Sequence, residues 1–304
     1  MKALVHILSK LPFRIYRPLA GIAPKLFASV FFRQKFHRDL NWEHPSDINE
    51  KINWLKFYGD TSQWPLLADK YRVRQYVKQC GLEDLLVPLY GVWQRAEDID
   101  WDSLPEQFVM KPNNGSGKIL ICRDKSTLDT TRWTKKFHQL LKVKLGNVLA
   151  EPHYNKISPC IVAEQLLDNT KQDVTSASLL DYKIWAFNGQ PAYIVVYYDR
   201  KPGQVTVDVY DCNWKGHPEY IVPSAHFHKG DHTIPRPAVL DKLLQAASRL
   251  SAGHPQIRAD FYLVDGRPYF GELTLTASAG FNESYTSEFK EILGAKTSLP
   301  NKTH

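Results

Sequence analysis

The chain has 304 residues, of which 43% are hydrophobic and 12% aromatic, and its formal net charge is +7. This composition predicts a globular protein with one large core or a few subdomains, and it excludes low-complexity and repeat architectures. The four cysteines are far apart and form no C-x-x-C pair. The sequence therefore predicts neither a zinc knuckle nor a disulfide framework, and it favours a reducing, cytoplasmic setting.

The positive charge is concentrated at the N-terminus. Residues 1–38 contain eight Lys or Arg and no acid, so the remaining 31 basic and 32 acidic residues leave a net charge of −1. This distribution argues against nucleic acid as a partner. An amphipathic helix is expected over 25–38, and the longest apolar run, 26–32, is far too short to cross a bilayer. The segment either lies on an anionic membrane surface or packs on the core as a helical layer.

Residues 39–100 are expected to be mainly helical. Apolar periodicity predicts one helix over 49–59 and another over 65–80, each ended by a glycine.

A hairpin with a polar loop follows over 108–124, with the sequence FVMKPNNGSGKILICRD. The loop is not a P-loop, because no glycine precedes Gly117 by five residues and Lys118 is followed by Ile119. It is not a dinucleotide fingerprint either, because position 120 is leucine. Gly115 and Gly117 reach positive φ at little cost, so the loop could close over phosphates as a lid. An ordinary hairpin with a polar tip is the alternative.

The second half of the chain alternates strands and helices. The pattern predicts a helix over 133–149, a strand over 160–167, and two long strands over 181–187 and 191–200 joined by an Asn-Gly turn. A helix over 237–250 and a hairpin over 257–275 follow, which together indicate a mixed α+β fold with antiparallel sheets. The run His226, His228 and His232 is expected to be a solvated loop, with metal binding as the lesser alternative.

The final hairpin carries two acids on otherwise apolar strands. Asp260 and Glu272 need partners because an unpaired buried charge is costly, and Mg²⁺ bound with nucleotide phosphates is a suitable one. Thr274 shares a strand face with Glu272 and could add a hydroxyl ligand. Arg258 shares a face with Asp260 and could bind a phosphoryl oxygen. A salt-bridged cluster of Arg258, Asp260 and Glu272 is the alternative.

The register of this hairpin tests the metal site. A regular hairpin with a two-residue Asp265-Gly266 turn would pair Asp260 with Gly271 and direct Glu272 to the opposite face. The two carboxylates can therefore converge only if the loop has odd length or a β-bulge inserts one residue, and Gly271 is a suitable position for a bulge.

The order of these features resembles the ATP-grasp superfamily. The stretches INEKINWLK, ADKYRVRQYV, FVMKPNNGSG, IVAEQLL, DYKIWAFNG, YYDR and IRADFYLVDGRPYFGELT resemble its teichuronopeptide-synthesis (TupA-like) branch, over about residues 45 to 285. One departure concerns the second magnesium, because most ATP-grasp enzymes have Glu-x-Asn where this chain has Glu272-Leu273-Thr274.

The resemblance implies two α+β subdomains whose antiparallel sheets sandwich ATP, preceded by a helical N-terminal region. The expected divisions are a basic segment 1–38, a helical region 39–100, a small subdomain with the lid over 101–167, and a large subdomain with the metal site over 168–304. ATP and Mg²⁺ are the expected ligands.

The resemblance also assigns roles to individual residues, and a surface salt bridge is the alternative for the charged ones. The nucleotide is expected to contact Lys70, Lys111, Gly115, Ser116, Gly117 and Lys118. Its adenine ring is expected to contact a hinge formed by Glu164, Gln165 and Leu166, and its ribose is expected to contact Asp168. The transferred phosphoryl group is expected to contact Lys183, Arg200 and Arg258. The metal is expected to be held by Asp260, Glu272 and Thr274.

The implied activity is ATP-dependent carboxylate-amine ligation through an acylphosphate. The acceptor is expected to be an amino acid, amine, uronic acid or sugar of a bacterial surface polysaccharide, supplied as a small molecule or a lipid-linked glycan. The expected location is the cytoplasm, with peripheral attachment to the inner face of the membrane as an option. Two alternatives stay open, namely a phosphotransferase on the same fold and a non-catalytic adaptor of a glycan assembly complex.

Overall fold

The computed structural model describes residues 2–115 and 119–301. Four helices form the N-terminal layer, and the longest begins at a proline, whose φ suits the first turn of a helix. Phe27 and Val30 of this longest helix are buried against Val5, Tyr16 and Ala20 of the preceding ones, so one side of the layer packs as a core. The helices are α1 (Lys2–Leu8), α2 (Phe13–Tyr16), α3 (Leu19–Ile22) and α4 (Pro24–Phe36).

Helix α5 (Ile48–Tyr58) confirms the prediction for 49–59, and the Asp47 carboxylate caps it by accepting from the Glu50 amide. The single helix predicted over 65–80 is wrong. The chain forms α6 (Trp64–Leu67) and α7 (Val73–Gln79) instead. Asp69 interrupts the helix because its carboxylate accepts from the amides of Tyr71 and Arg72, which offers the backbone an alternative to continuous helix.

A four-stranded antiparallel sheet, the small sheet, follows. It contains β1 (Leu89–Trp93), β2 (Phe108–Pro112), β3 (Leu120–Cys122) and β4 (Ile161–Gln165), in the order β1-β4-β2-β3. Helix α8 (Thr130–Leu141) covers it and buries Phe137 against Phe108 and Met110. The helix predicted over 133–149 is thus too long. The chain leaves the helix before Gly146, whose amide donates to the Asn155 side chain.

A six-stranded sheet, the large sheet, forms the rest of the fold in the order β10-β9-β5-β6-β7-β8, with only the β7–β8 pair parallel. Helix α9 (Leu240–Ser251) packs Leu243 and Leu250 on one face, and α10 (Ser287–Lys296) packs Phe289 on the other. The strands are β5 (Asp181–Phe187), β6 (Gln190–Lys201), β7 (Gln204–Asp211), β8 (Phe227–Lys229), β9 (Ile257–Val264) and β10 (Arg267–Thr274).

This architecture confirms the predicted α+β class with antiparallel sheets and N-terminal helices. The Asn188-Gly189 turn joins β5 to β6 with positive φ at both residues, as an Asn-Gly hairpin requires. The subdomain limits remain predictions. Along residues 2–115 and 119–301, no helix combines the length and the apolar character needed to span a bilayer.

The histidine run is only partly the solvated loop that its sequence predicts. His226 and His228 are exposed at or beside β8. His232 is instead largely buried, with its Nδ1 3.2 Å from Oδ1 of the fully buried Asp208. The reason is that the chain after β8 folds back over the sheet, where His232 also packs on the ring of Tyr210.

Candidate functional site

The final hairpin has the register that the metal site requires. Its Asp265-Gly266 turn has two residues with positive φ and pairs Val264 with Arg267. The register then shifts between Phe270 and Glu272, which places Glu272 opposite Asp260. The β-bulge prediction is therefore confirmed. A Cβ on Gly271 would lie 3.0 Å from the Asp260 carbonyl oxygen, so the close approach at the bulge favours glycine.

Basic side chains surround Asp260. Arg258 donates to both of its carboxylate oxygens, at 2.8 Å from Nε and 2.7 Å from an Nη atom, and Lys183 forms a further hydrogen bond. Arg258 also donates to the Thr274 hydroxyl at 3.1 Å. Together with Glu272, whose Oε1 lies 3.9 Å from an Nη atom of Arg258, these groups form the ion-pair cluster that was the alternative to a metal site. The same carboxylates nevertheless face one side of the sheet, where a cation could replace these partners.

Glu272 pairs with a different lysine. Its Oε2 lies 3.1 Å from Nζ of Lys70, in the segment that separates α6 from α7. The Lys70 amide donates to the Asn113 carbonyl at the end of β2, which brings the helical region against the small sheet. Burial alone would raise the pKa of Glu272, but the attraction of Lys70, Lys183 and Arg258 outweighs it and lowers the pKa to about 2. Glu272 is thus a carboxylate at every physiological pH.

Asp181 is a third carboxylate at this site, and the sequence assigned it no role. Its Oδ2 lies 2.6 Å from Lys183 Nζ and 3.6 Å from an Nη atom of Arg200. Its Oδ1 is buried and, within the described part of the chain, has no hydrogen-bond partner. Burial raises the pKa of Asp181, although Lys183 opposes the rise. Lys183 therefore bridges Asp181 and Asp260, and an unsatisfied oxygen remains for a ligand or water.

Glu164, at the end of β4, lies at the other end of the site. Lys111 on β2 places Nζ 2.7 Å from its Oε2, and Arg74 on α7 lies 3.1 Å from its Oε1. Arg74 also donates to the Val87 carbonyl. Sequence reasoning missed Arg74, because nothing in the periodicity of α7 indicates that this face reaches the small sheet.

A cavity of about 550 Å³ lies between the two sheets and joins these groups. Its polar lining includes Lys70, Lys111, Glu164, Asp181, Lys183, Arg200, Asp260 and Glu272. Its apolar lining comes from both sheets and includes Val109, Ile121, Leu166, Tyr262 and Phe270. A cavity that combines charged and apolar lining suits a ligand with a flat ring and an anionic tail.

Some predicted site residues lie elsewhere or are already engaged. Asp168 is half-buried, and its carboxylate accepts from the amide and the hydroxyl of Thr170. In the expected adenine hinge, the backbone N–H of Gln165 already donates to the Pro88 carbonyl at 3.0 Å. Gly115 lines the cavity. The other predicted lid residues, Ser116, Gly117 and Lys118, lie outside the described residues. The assignments of individual residues remain predictions.

The expected metal ligands are Asp260, Glu272 and Thr274. Within residues 2–115 and 119–301, no three His, Cys, Asp or Glu side chains are arranged to hold a metal ion by themselves. Asp260 and Glu272 converge as a pair, and a pair of carboxylates fits Mg²⁺, which completes its shell with water and phosphate oxygens. Thr274 lies on the same side, with its hydroxyl 3.5 Å from Glu272, but it accepts a hydrogen bond from Arg258.

Helix α5 holds the backbone that follows β10. Asn53 donates to the Gly280 carbonyl at 2.8 Å and Lys56 donates to the Ala279 carbonyl at 2.9 Å. Asn49 pairs with both backbone groups of Asn282. These contacts stabilise a segment in which Ser278, Ala279 and Gly280 all have positive φ. The i, i+4, i+7 spacing of the three polar residues on α5 is the signal that sequence reasoning missed.

Lys56 is buried in this contact. Burial lowers its pKa to about 7, although Glu151 opposes the shift.

Comparison with known proteins supplies the family. Residues 50–298 match the family described as TupA-like ATPgrasp. No curated protein matches the sequence. Similar solved structures include D-alanine–D-alanine ligase from Bacillus anthracis in complex with ATP, at 15% identity and a TM-score of 0.43, covering 76% of this chain and 61% of that one.

Two further similar structures are also amino-acid ligases. The L-amino acid ligase from Bacillus licheniformis is 16% identical, with a TM-score of 0.42, over 92% of this chain and 56% of that one. D-Alanine–D-alanine ligase from Helicobacter pylori is 12% identical, with a TM-score of 0.44, over 85% of this chain and 68% of that one. The chain spans about three fifths of the length of the two Bacillus enzymes.

Proposed function

The chain belongs to the TupA-like ATPgrasp family, and we propose that it is an ATP-dependent ligase that joins a carboxylate to an amine. The observation that carries the proposal is the convergence of Asp260 and Glu272 at one end of a cavity that also contains Lys70, Lys111 and Lys183. Such an arrangement of positive charge and metal-binding oxygens supports the binding of a polyphosphate with Mg²⁺.

The cavity lining suits both parts of ATP. Val109, Ile121 and Leu166 would enclose the adenine ring. Lys111 lies two residues after Val109 on β2, where it would contact a phosphate chain that runs toward β10. In the structure it pairs with Glu164 at 2.7 Å. Nucleotide binding would therefore exchange a carboxylate partner for a phosphate partner, with no lysine left unpaired.

Asp260 and Glu272 would hold Mg²⁺, which supplies positive charge beside the phosphate oxygens when it is bound. Lys70, now paired with Glu272, would be free to bind a phosphate oxygen once the carboxylate has a metal ion as its partner. Arg258 and Lys183 keep Asp260 in position by hydrogen bonds to both of its oxygens.

The proposed reaction has two steps. In the first, an oxygen of the substrate carboxylate attacks the γ-phosphorus of ATP, the bond to the bridging oxygen breaks, and ADP leaves with the electron pair. Lys183 and Arg200, beside Asp181, would stabilise the charge on the transferred phosphoryl group. In the second, an amine attacks the acyl carbon, phosphate leaves, and the nitrogen loses a proton to give an amide.

The substrate class is proposed from the resemblance to teichuronopeptide synthesis. We propose that one substrate is a uronic acid or sugar unit of a bacterial surface polysaccharide, free or linked to lipid, and that the other is an amino acid or amine. The reaction would take place in the cytoplasm, where ATP is available.

Hydroxylamine trapping tests this proposal. The protein is incubated with ATP, Mg²⁺, hydroxylamine and one carboxylate at a time from a panel of uronic acids and amino acids. We expect ADP and an acyl hydroxamate in equal amounts, because hydroxylamine takes the place of the amine in the second step. ADP with a phosphorylated sugar and no hydroxamate would show a phosphotransferase. ATP binding without ADP formation for any carboxylate would favour a non-catalytic adaptor.

A further inference from the structure

The N-terminal layer has a second, solvent-facing side that the proposed ligase activity does not use. Val5, Tyr16 and Ala20 are buried against α4. In the same short stretch, Leu4 is 49% exposed, Ile7 60%, Ile15 54% and Ile22 80%. Four of the ten large hydrophobic side chains that are exposed in the described chain thus lie within residues 2–22. Such a concentration of exposed aliphatic side chains marks an interaction surface.

The Lys and Arg side chains within 1–38 divide into two groups. The group on and after α4 is used inside the molecule: Lys25 lies over the rings of Trp42 and Tyr58, and the other three form ion pairs. These three are Arg33 with Asp39, Lys35 with Glu283, and Arg38 with Asp47 and Glu50.

The second group has no such partners. Lys2, Lys10, Arg14 and Arg17 are exposed, and none of them forms an ion pair within residues 2–115 and 119–301. We call the exposed side of residues 2–22 the N-terminal surface. It consists of Lys2, Leu4, Ile7, Lys10, Arg14, Ile15, Arg17 and Ile22.

We propose that the N-terminal surface binds an anionic lipid bilayer at its interface. Aliphatic side chains enter the boundary between headgroups and acyl chains, and nearby Lys and Arg side chains are attracted to anionic headgroups. Nucleic acid would be attracted by the same cations, but single strands bind by stacking on aromatic rings, and the exposed apolar residues of this surface are Leu and Ile. The proposal does not depend on the ligase activity.

Vesicle co-sedimentation of the full chain tests the proposal. We expect binding to vesicles of equal parts phosphatidylcholine and phosphatidylglycerol at low salt, weaker binding at high salt, and none to vesicles of phosphatidylcholine alone, because charge attraction is screened by salt.

Two double variants separate the charged and apolar contributions. Lys10→Glu/Arg14→Glu should weaken binding at least about 25-fold, since each basic side chain near an anionic surface contributes about a fivefold factor. Ile7→Ser/Ile22→Ser keeps every charge and should weaken binding about tenfold. The matched control is Lys201→Glu/Lys229→Glu, which makes the same change in net charge at exposed positions on β6 and β8 and should bind as the wild type does.

All substituted side chains are exposed, so the far-ultraviolet circular dichroism spectra and ATP affinities of the variants should match those of the wild type. Equal binding to neutral and anionic vesicles would overturn the proposal. So would full vesicle binding by Ile7→Ser/Ile22→Ser, or binding to a DNA oligonucleotide that is tighter than binding to vesicles and unaffected by the isoleucine substitutions. A failure of this experiment leaves the hydroxamate assay unchanged, because that assay uses soluble substrates.

Discussion

Two groups of basic side chains lie in opposite environments in this molecule. At the cavity, Lys183 and Arg258 are almost entirely buried, and each pairs with the carboxylate of Asp260. On the N-terminal surface, Lys10 and Arg14 are exposed and have no acidic partner in the described chain. The first group is held in place by carboxylates and is suited to a ligand with a defined charge pattern. The second group is unscreened by the protein and is suited to a diffuse anionic surface.

The largest effect is expected when a carboxylate in the cavity loses its charge. Glu272→Gln should reduce ADP formation about 10³-fold, because a metal ion supplies several kcal/mol of charge stabilisation that depends on its carboxylate ligands. The measurement is the rate of ADP release under saturating ATP and Mg²⁺. Glu291→Gln, at an exposed position on α10, is the matched control and should leave the rate unchanged. A Glu272→Gln enzyme with wild-type activity would remove Glu272 from the site.

The next largest effect is expected at the other end of the cavity. Lys111→Ala should weaken Mg·ATP binding about 100-fold, because a charged hydrogen bond to phosphate is lost and Glu164 then repels the nucleotide. Calorimetric titration of both proteins measures the difference. Lys135→Ala on α8, an exposed lysine, is the control. Equal affinity of the Lys111→Ala variant and the wild type would contradict the assignment.

Replacing an arginine by an uncharged residue should have different effects on stability and vesicle binding in the two halves of residues 1–38. Arg38→Met leaves the buried carboxylates of Asp47 and Glu50 without their cation. It should lower the free energy of unfolding by about 2 kcal/mol, which is less than the cost of breaking a fully buried ion pair because Arg38 is half-exposed. Arg14→Met should change stability by less than about 0.5 kcal/mol and weaken vesicle binding instead. Denaturant unfolding and co-sedimentation measure both quantities. If the two variants behave alike, the division into paired and unpaired cations has no consequence.

The smallest expected effect is in the pH dependence of stability. The pKa of Glu272 falls from 4.5 to about 2 on folding, so its charge stabilises the native state above pH 4.5 and that contribution disappears as the pH falls toward 2. The difference in unfolding free energy between the wild type and Glu272→Gln should therefore shrink between pH 5 and pH 3. Denaturant titrations at these pH values measure it, with Glu291→Gln as reference. A difference that grows on acidification would contradict the ion-pair network.

Several elements could be predicted from the sequence because they depend on local patterns. A metal site shared by Asp260 and Glu272 requires an odd loop or a bulge in the last hairpin, and Asn-Gly predicts the β5–β6 turn. Helix α4 follows from its apolar periodicity. What these features share is that a few neighbouring residues decide each of them.

Other features depend on contacts between distant segments, and only the tertiary structure decided them. Asp69 interrupts a helix that its periodicity predicts, because its carboxylate binds backbone amides while the neighbouring Lys70 amide binds the end of β2.

The choice of a bulge at Gly271, and the use of Asn53 and Lys56 to hold the backbone after β10, were likewise decided by packing. The sequence by itself determined that residues 1–38 carry excess positive charge. Which of those charges remain unpaired depended on where Asp47, Glu50 and Glu283 lie in the folded chain, because an ion pair requires proximity that sequence order does not specify.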